Sequence, residues 1–180
     1  MKCRICRILI CIFFSFFALN VSASDKKCDE KYINWMSRII EEKKAVVGGI
    51  SPMIPTSLPL AQSILETGYG KSYSAKKRHN YFGLSFKNKL MVFDMPSTSV
   101  HKYFKTLNYH GSYDKFRAVL GAGIYKPKVL VKSLAPVYAE DKAYAKKISQ
   151  IIEKCNLEKY DSKIVMKPTY DVIILSKLYN

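Results

Sequence analysis

The chain has 180 residues, enough for one domain with a sizeable core, and 48% of them are hydrophobic, which excludes global disorder. Thirty Lys and Arg face 14 Asp and Glu, a net charge of +16, so candidate partners are polyanions: nucleic acid, an anionic membrane surface or an anionic wall polymer. No zinc-finger or RNA-recognition signature accompanies the charge, which makes nucleic acid the weakest of the three.

The first 23 residues read as a signal peptide. Lys2, Arg4 and Arg7 precede an apolar run over 8–19, and Val21, Ser22 and Ala23 are the small residues a signal peptidase accepts. The run is too short to span a bilayer comfortably, so no stable membrane span is expected after cleavage. An uncleaved anchor is the alternative. Removing the leader takes away three positive charges and no acid, leaving 27 Lys and Arg against 14 Asp and Glu, a net +13. The expected location is periplasmic or secreted. Cys3, Cys6 and Cys11 leave with the leader, and Cys28 and Cys155 remain. An even pair in an exported chain predicts one disulfide joining the first and last helical regions. Only three histidines are present, without HxxxH spacing, and no CxxC follows the leader, so neither a metal nor another cofactor is expected.

Past the leader, Ile33, Met36, Ile39 and Ile40 recur at helical spacing, and Gly48 and Gly49 stop that helix. "SPMIPTSLP" is a proline-punctuated loop. Thr56 or Ser57 is placed to cap the next helix, which tolerates Pro59 in its first turn and carries Leu60 to Glu66. A short helical turn follows over 72–78. "NYFGLSF" and "KLMVFD" flank "KNK" as the two arms of a hairpin. "MPSTSVHKYFKTLN" puts Val100, Tyr103, Phe104 and Leu107 on one helical face, and "SYDKFRAVL" is a further helix. Residues 129–156 predict one short helix and one long one. The organisation is a mainly α domain with one hairpin over 24–158, expected as a monomer, followed by an extension, 159–180, that reads equally as strand or helix.

Glu66 ends an apolar helix just before Gly68 and Gly70. A carboxyl in that place is partly desolvated, and the C-terminal end of the helix dipole also disfavours its charge, so its pKa rises. An acid still protonated near neutrality can donate to a glycosidic oxygen. Gly68 and Gly70 allow a tight turn and close approach of backbone to a ligand, and Tyr69 and Tyr73 offer flat faces for sugar rings.

"LAQSILETGYGKS" followed by "NYFGL" resembles the motif of the bacterial glucosaminidase family, glycoside hydrolase family 73, which reads AQ-x-x-x-E-[ST]-G-[WY]-G-x-S and then N-[LY]-F-G. "VFDMPSTSVHKYFKTLNYHGSYDKFR" resembles the middle of the Bax-type branch of these proteins, and "VYAEDKAYAKKISQII" the segment that closes the domain. The three blocks cover 58–152. The resemblance implies a lysozyme-like fold, helices around a sugar groove with a small β-hairpin lobe, and peptidoglycan glycan strands as substrate. It implies Glu66 as catalytic acid and Tyr138 as a groove tyrosine important for activity. Its N-[LY]-F-G block makes Asn80 and Tyr81 candidate substrate contacts beside Tyr69 and Tyr73, with Asn80 read alternatively as bonding the local backbone.

The second carboxylate departs from the pattern. Some members supply a glutamate from the β-lobe, and "SFKNKLMVFD" has none. Asp94 is the sole acid there, either capping the next helix or acting as the catalytic partner. Without a partner, the substrate's 2-acetamido oxygen can attack the anomeric carbon, or Glu66 can serve alone in lytic transglycosylation. A non-catalytic glycan-binding module on the same fold stays open as well.

Overall fold

A computed structural model describes residues 27–161; the expected signal peptide and residues 162–180 lie outside the described residues. Helix α1 (Glu30–Val47) starts at Asp29, whose carboxylate accepts from the Tyr32 amide at 3.1 Å, and ends at Gly48 with φ +64°. A 3-10 turn, Ser51–Met53, leads to α2 (Ser57–Thr67). Every residue from Ser57 to Ile64 is buried, so α2 runs through the middle of the molecule and has no solvent face until its last turn. The short α3 (Tyr73–Arg78) is capped by Ser72, whose hydroxyl accepts from the Ala75 amide at 3.2 Å.

The hairpin is smaller than its sequence implies. Strands β1 (Ser85–Phe86) and β2 (Lys89–Leu90) pair antiparallel, Ser85 with Leu90 and Phe86 with Lys89. Lys87 and Asn88 form the two-residue turn, both with positive φ, as a turn matched to strand twist requires. Beyond them the arms are joined by two isolated backbone bonds, Met91 N–H to the Leu84 carbonyl and Phe93 N–H to the Arg78 carbonyl, each 2.9 Å, and by the Asn80 side chain.

Four helices complete the body: α4 (Pro96–Tyr109), α5 (Asp114–Gly121), α6 (Pro127–Tyr138) and α7 (Tyr144–Lys154). The last two are nearly equal, 12 and 11 residues, because a turn occupies the stretch after Ala139 that the sequence assigned to a longer helix. α4 packs on α1, and α7 packs on both α2 and α6. One contiguous core results, with Phe82, Tyr103, Phe104, Phe116 and Tyr138 among its largest fully buried side chains. No helix among the described residues is long and apolar enough to cross a membrane.

The expected cap of α2 is supplied from elsewhere. Thr56 makes no capping bond; its hydroxyl is taken by Glu41 and by Lys44, whose Nζ lies 3.0 Å away. Asp161 does the capping, accepting from the Ser57 amide at 2.7 Å and the Ser57 hydroxyl at 2.9 Å. The folded body therefore reaches Asp161, through a 3-10 turn at Leu157–Tyr160, beyond the expected boundary at 158. The predicted disulfide is formed: Cys28 and Cys155 are bonded with Cα atoms 5.7 Å apart.

Candidate active site

Glu66 occupies the last turn of α2, where the buried helix first meets solvent. The turn beyond it is built for an abrupt exit. Gly68 takes φ +56°, Tyr69 φ +61°, and the Thr67 hydroxyl donates to the Ser63 carbonyl while accepting from the Gly70 amide at 2.9 Å. The carboxyl is held on both sides. Tyr144 Oη donates to Oε1 at 3.2 Å, and Oε2 lies so close to Gly83 that a Cβ there would stand 3.1 Å away. Any side chain at Gly83 would displace the carboxyl, and its φ of +62° also suits glycine.

Burial pushes the Glu66 pKa up from its ordinary 4.5 to about 7, and the Tyr144 hydrogen bond works in the opposite direction by favouring the ionised form. No charged neighbour among the described residues contributes to the shift. The acid is thus half protonated near neutrality because of its surroundings, not because a second carboxylate repels it.

Behind Glu66 runs a buried polar chain. Tyr103 Oη donates to Gln62 Oε1 at 2.6 Å, and Gln62 Nε2 donates to Tyr144 Oη at 3.1 Å. Since Tyr144 receives that proton, its own is free to point at Glu66 Oε1. This leaves Oε2 as the oxygen on which the acidic proton sits.

The other predicted residues separate into three groups. Tyr138 is 1% exposed, and its hydroxyl donates to the Phe82 carbonyl at 2.6 Å. It lies below the site, its ring 5.6 Å from Tyr144, and the tyrosine that touches the acid is Tyr144. Of the two readings of Asn80, the structure contradicts the substrate contact and shows the bond to local backbone. Asn80 is fully buried, its amide donates to the Leu84 and Met91 carbonyls at 2.7 and 3.1 Å, and its oxygen accepts from the Leu84 amide at 3.0 Å. Backbone groups occupy both its donors, so it holds the "NYFGL" loop, and with it Gly83, in place.

Tyr69 is half-buried against the disulfide, its hydroxyl 3.4 Å from Cys155 Sγ and its ring edge-on to Tyr32. Tyr81 packs its ring among Tyr32 and Trp35. Tyr73 is 69% exposed, with the Arg78 guanidinium 5.9 Å from its ring centre. Asp94 is exposed, and the cap position of α4 is Met95, which makes no side-chain capping bond. Pro96 at the first helical position has no N–H to satisfy, which reduces what a capping carboxylate could do there. Asp94 therefore does not cap α4, and it is not among the causes of the Glu66 shift.

Tyr144, Gln62 and Gly83 were missing from the residues singled out by sequence. All three lie inside the quoted motif blocks, but no local pattern distinguishes a tyrosine facing the acid from one beneath it.

Residues 49–157 match the family model described as mannosyl-glycoprotein endo-beta-N-acetylglucosaminidase. The chain is similar to the exo-glucosaminidase LytG of Bacillus subtilis (strain 168), 31% identical over 172 residues, which covers 79% of this chain and 58% of that relative. It thus spans little more than half the relative's length. Among solved structures it is similar to the catalytic domain of the autolysin Auto from Listeria monocytogenes, with a TM-score of 0.61 and 20% identity, over 80% of this chain and 92% of that one. At that identity the likeness speaks for the fold, a mainly α lysozyme-like body with a small hairpin.

Proposed function

The chain belongs to the mannosyl-glycoprotein endo-beta-N-acetylglucosaminidase family of glycoside hydrolases, and from that premise we propose that it is an exported peptidoglycan hydrolase cutting the β-1,4 bond after N-acetylglucosamine. One observation carries this reading. A buried carboxyl, Glu66, stands at a helix end with its pKa raised to about 7 and one oxygen fixed by Tyr144.

In the proposed reaction the Glu66 proton passes from Oε2 to the bridging glycosidic oxygen as the bond to the anomeric carbon breaks. The substrate's own 2-acetamido oxygen closes on that carbon, forming a cyclic oxazolinium. Water then adds to the anomeric carbon and gives its proton to the Glu66 carboxylate, which restores the acid and releases a reducing N-acetylglucosamine end. This route fits a Glu66 whose shift has no charged contributor among the described residues. Tyr138 and Asn80 enter as positioning residues. Tyr138 holds the Phe82 carbonyl beside Gly83, and Asn80 holds Leu84 on its other side.

Mass spectrometry of products from purified peptidoglycan tests the reading, with the wild type beside Glu66→Gln. New reducing N-acetylglucosamine ends are expected, with the rate falling by roughly 10²–10⁴ in the variant. Anhydromuramic ends would move the protein to the transglycosylases. If neither protein releases anything while both pellet with the polymer, the fold serves as a binding module.

A further inference from the structure

Helix α1 lies outside the residues matched by the family model, which begin at 49, yet it carries two rings to the catalytic end of α2. Tyr32 stacks on Tyr81 with ring centres 6.4 Å apart, and Trp35 meets Tyr81 edge-on at 5.6 Å. The cluster is seated on the turn after Glu66. A Cβ at Gly70 would stand 3.0 Å from Tyr32 and 3.5 Å from Tyr81, and the Tyr32 hydroxyl lies 3.5 Å from Thr67 Oγ1. Tyr81 precedes Gly83 by two residues, at most about 7 Å of chain, and Gly83 is the residue against the Glu66 carboxyl. The rings are therefore packed on the turn that follows Glu66, and Tyr81 is joined to Gly83 through Phe82.

Their polar atoms are unusual for a purely structural cluster. Among the described residues, the Trp35 indole N–H and the Tyr81 hydroxyl have no protein partner; Tyr81 is only 7% exposed, yet its hydroxyl is not shut off from solvent. Buried Trp and Tyr ordinarily find a partner. Trp35 is partly exposed, and the outward α1 positions around it are Lys31, Asn34 and Arg38, all exposed and polar. Such a surround is unsuited to an apolar protein partner. It fits a pyranose, which has an apolar C–H face to lie on an indole and oxygens to accept from free N–H and O–H donors.

We propose that Trp35 and Tyr81 form a glycan subsite beside Glu66, taking one N-acetylhexosamine unit of the strand by stacking on the indole and by hydrogen bonds from Trp35 Nε1 and Tyr81 Oη. The proposal rests on the glycan reading of the site.

Trp35 is the chain's one tryptophan, so intrinsic fluorescence reports on this position alone. The full chain carrying Glu66→Gln is titrated with a β-1,4-linked N-acetylglucosamine tetramer, with calorimetry in parallel. A saturable shift in emission is expected, with the calorimetric affinity. Trp35→Ala in that background should weaken calorimetric binding about tenfold. Tyr81→Phe, which keeps the ring and removes the donor, should weaken it about fivefold. Trp35→Phe, a milder change for packing, should fall between wild type and Trp35→Ala. Calorimetric binding with no change in emission, and with affinities untouched by these substitutions, overturns the subsite and leaves the glycan reading standing. No binding of the tetramer together with no pelleting on peptidoglycan overturns both.

Discussion

Glu66 is an acid near neutrality because α2 delivers it from a fully buried helix to a rim where water reaches little of its carboxyl. Tyr144 tunes that state in the opposite sense. Its hydroxyl stabilises the ionised form, so removing it should raise the Glu66 pKa further above about 7. A hydrogen bond to a charged group is worth about 1.5 kcal/mol, or roughly one pH unit. The wild-type rate should decline as pH rises through about 7, since the donor loses its proton there. In Tyr144→Phe the alkaline limb of the kcat/KM profile should move up by about one unit, while kcat falls because Oε1 is no longer fixed. A profile that drops uniformly without moving would remove Tyr144 from contact with the acid. The raised pKa of the Glu66 carboxyl was legible in sequence, as that of a carboxylate closing an apolar run. Tyr144 was not: it lies six residues beyond Tyr138, across a helix end, and only the packing of α7 on α2 decides which ring reaches Glu66.

At the scale of elements, the helices followed from apolar spacing and from their stops at glycine. Their terminations by distant groups did not. Local sequence offered Thr56 and Ser57 as caps for α2, yet Thr56 is occupied by Lys44 and Glu41, and the cap arrives from Asp161, 104 residues downstream. Burial raises the Asp161 pKa even though the Ser57 donors favour its charge. Losing a cap of this kind costs roughly 1–2 kcal/mol. Asp161→Ala should lose about that much stability by urea denaturation, with Asp161→Asn losing less because an amide oxygen still accepts from the Ser57 amide. A fully stable Asp161→Ala would show that α2 is held by its packing alone. The hairpin was over-read for a related reason. Asn80 and the Arg78 carbonyl, which accepts from the Phe93 amide at 2.9 Å, replace ladder pairing along arms that alternate like strands.

For the whole molecule, the strongest long-range restraint is Cys28–Cys155, separated by 127 residues. Closing so long a loop removes on the order of 4–5 kcal/mol of unfolded-state freedom in the chain-entropy model. Reduction should therefore lower the denaturation midpoint substantially, and the Cys28→Ser, Cys155→Ser pair should reproduce the loss without reductant. Equal stability of oxidised and reduced protein would show the bond to be dispensable. The even pair of cysteines beyond the expected leader predicted this link. What sequence could not supply was its second contact, the Tyr69 hydroxyl on Cys155 Sγ, which ties the turn after Glu66 to the end of α7.

Seven consecutive positions, 155–161, thus hold both ends of the helix that carries Glu66: Cys155 beside the turn that follows it and Asp161 on the Ser57 amide and hydroxyl at its start. A nascent chain makes Glu66 early, but the groups that clamp its helix are synthesised nearly ninety residues later. Until they emerge, that helix lacks its Asp161 cap and the Tyr69–Cys155 contact. A chain ending before position 155 would carry Glu66 on a helix without either contact.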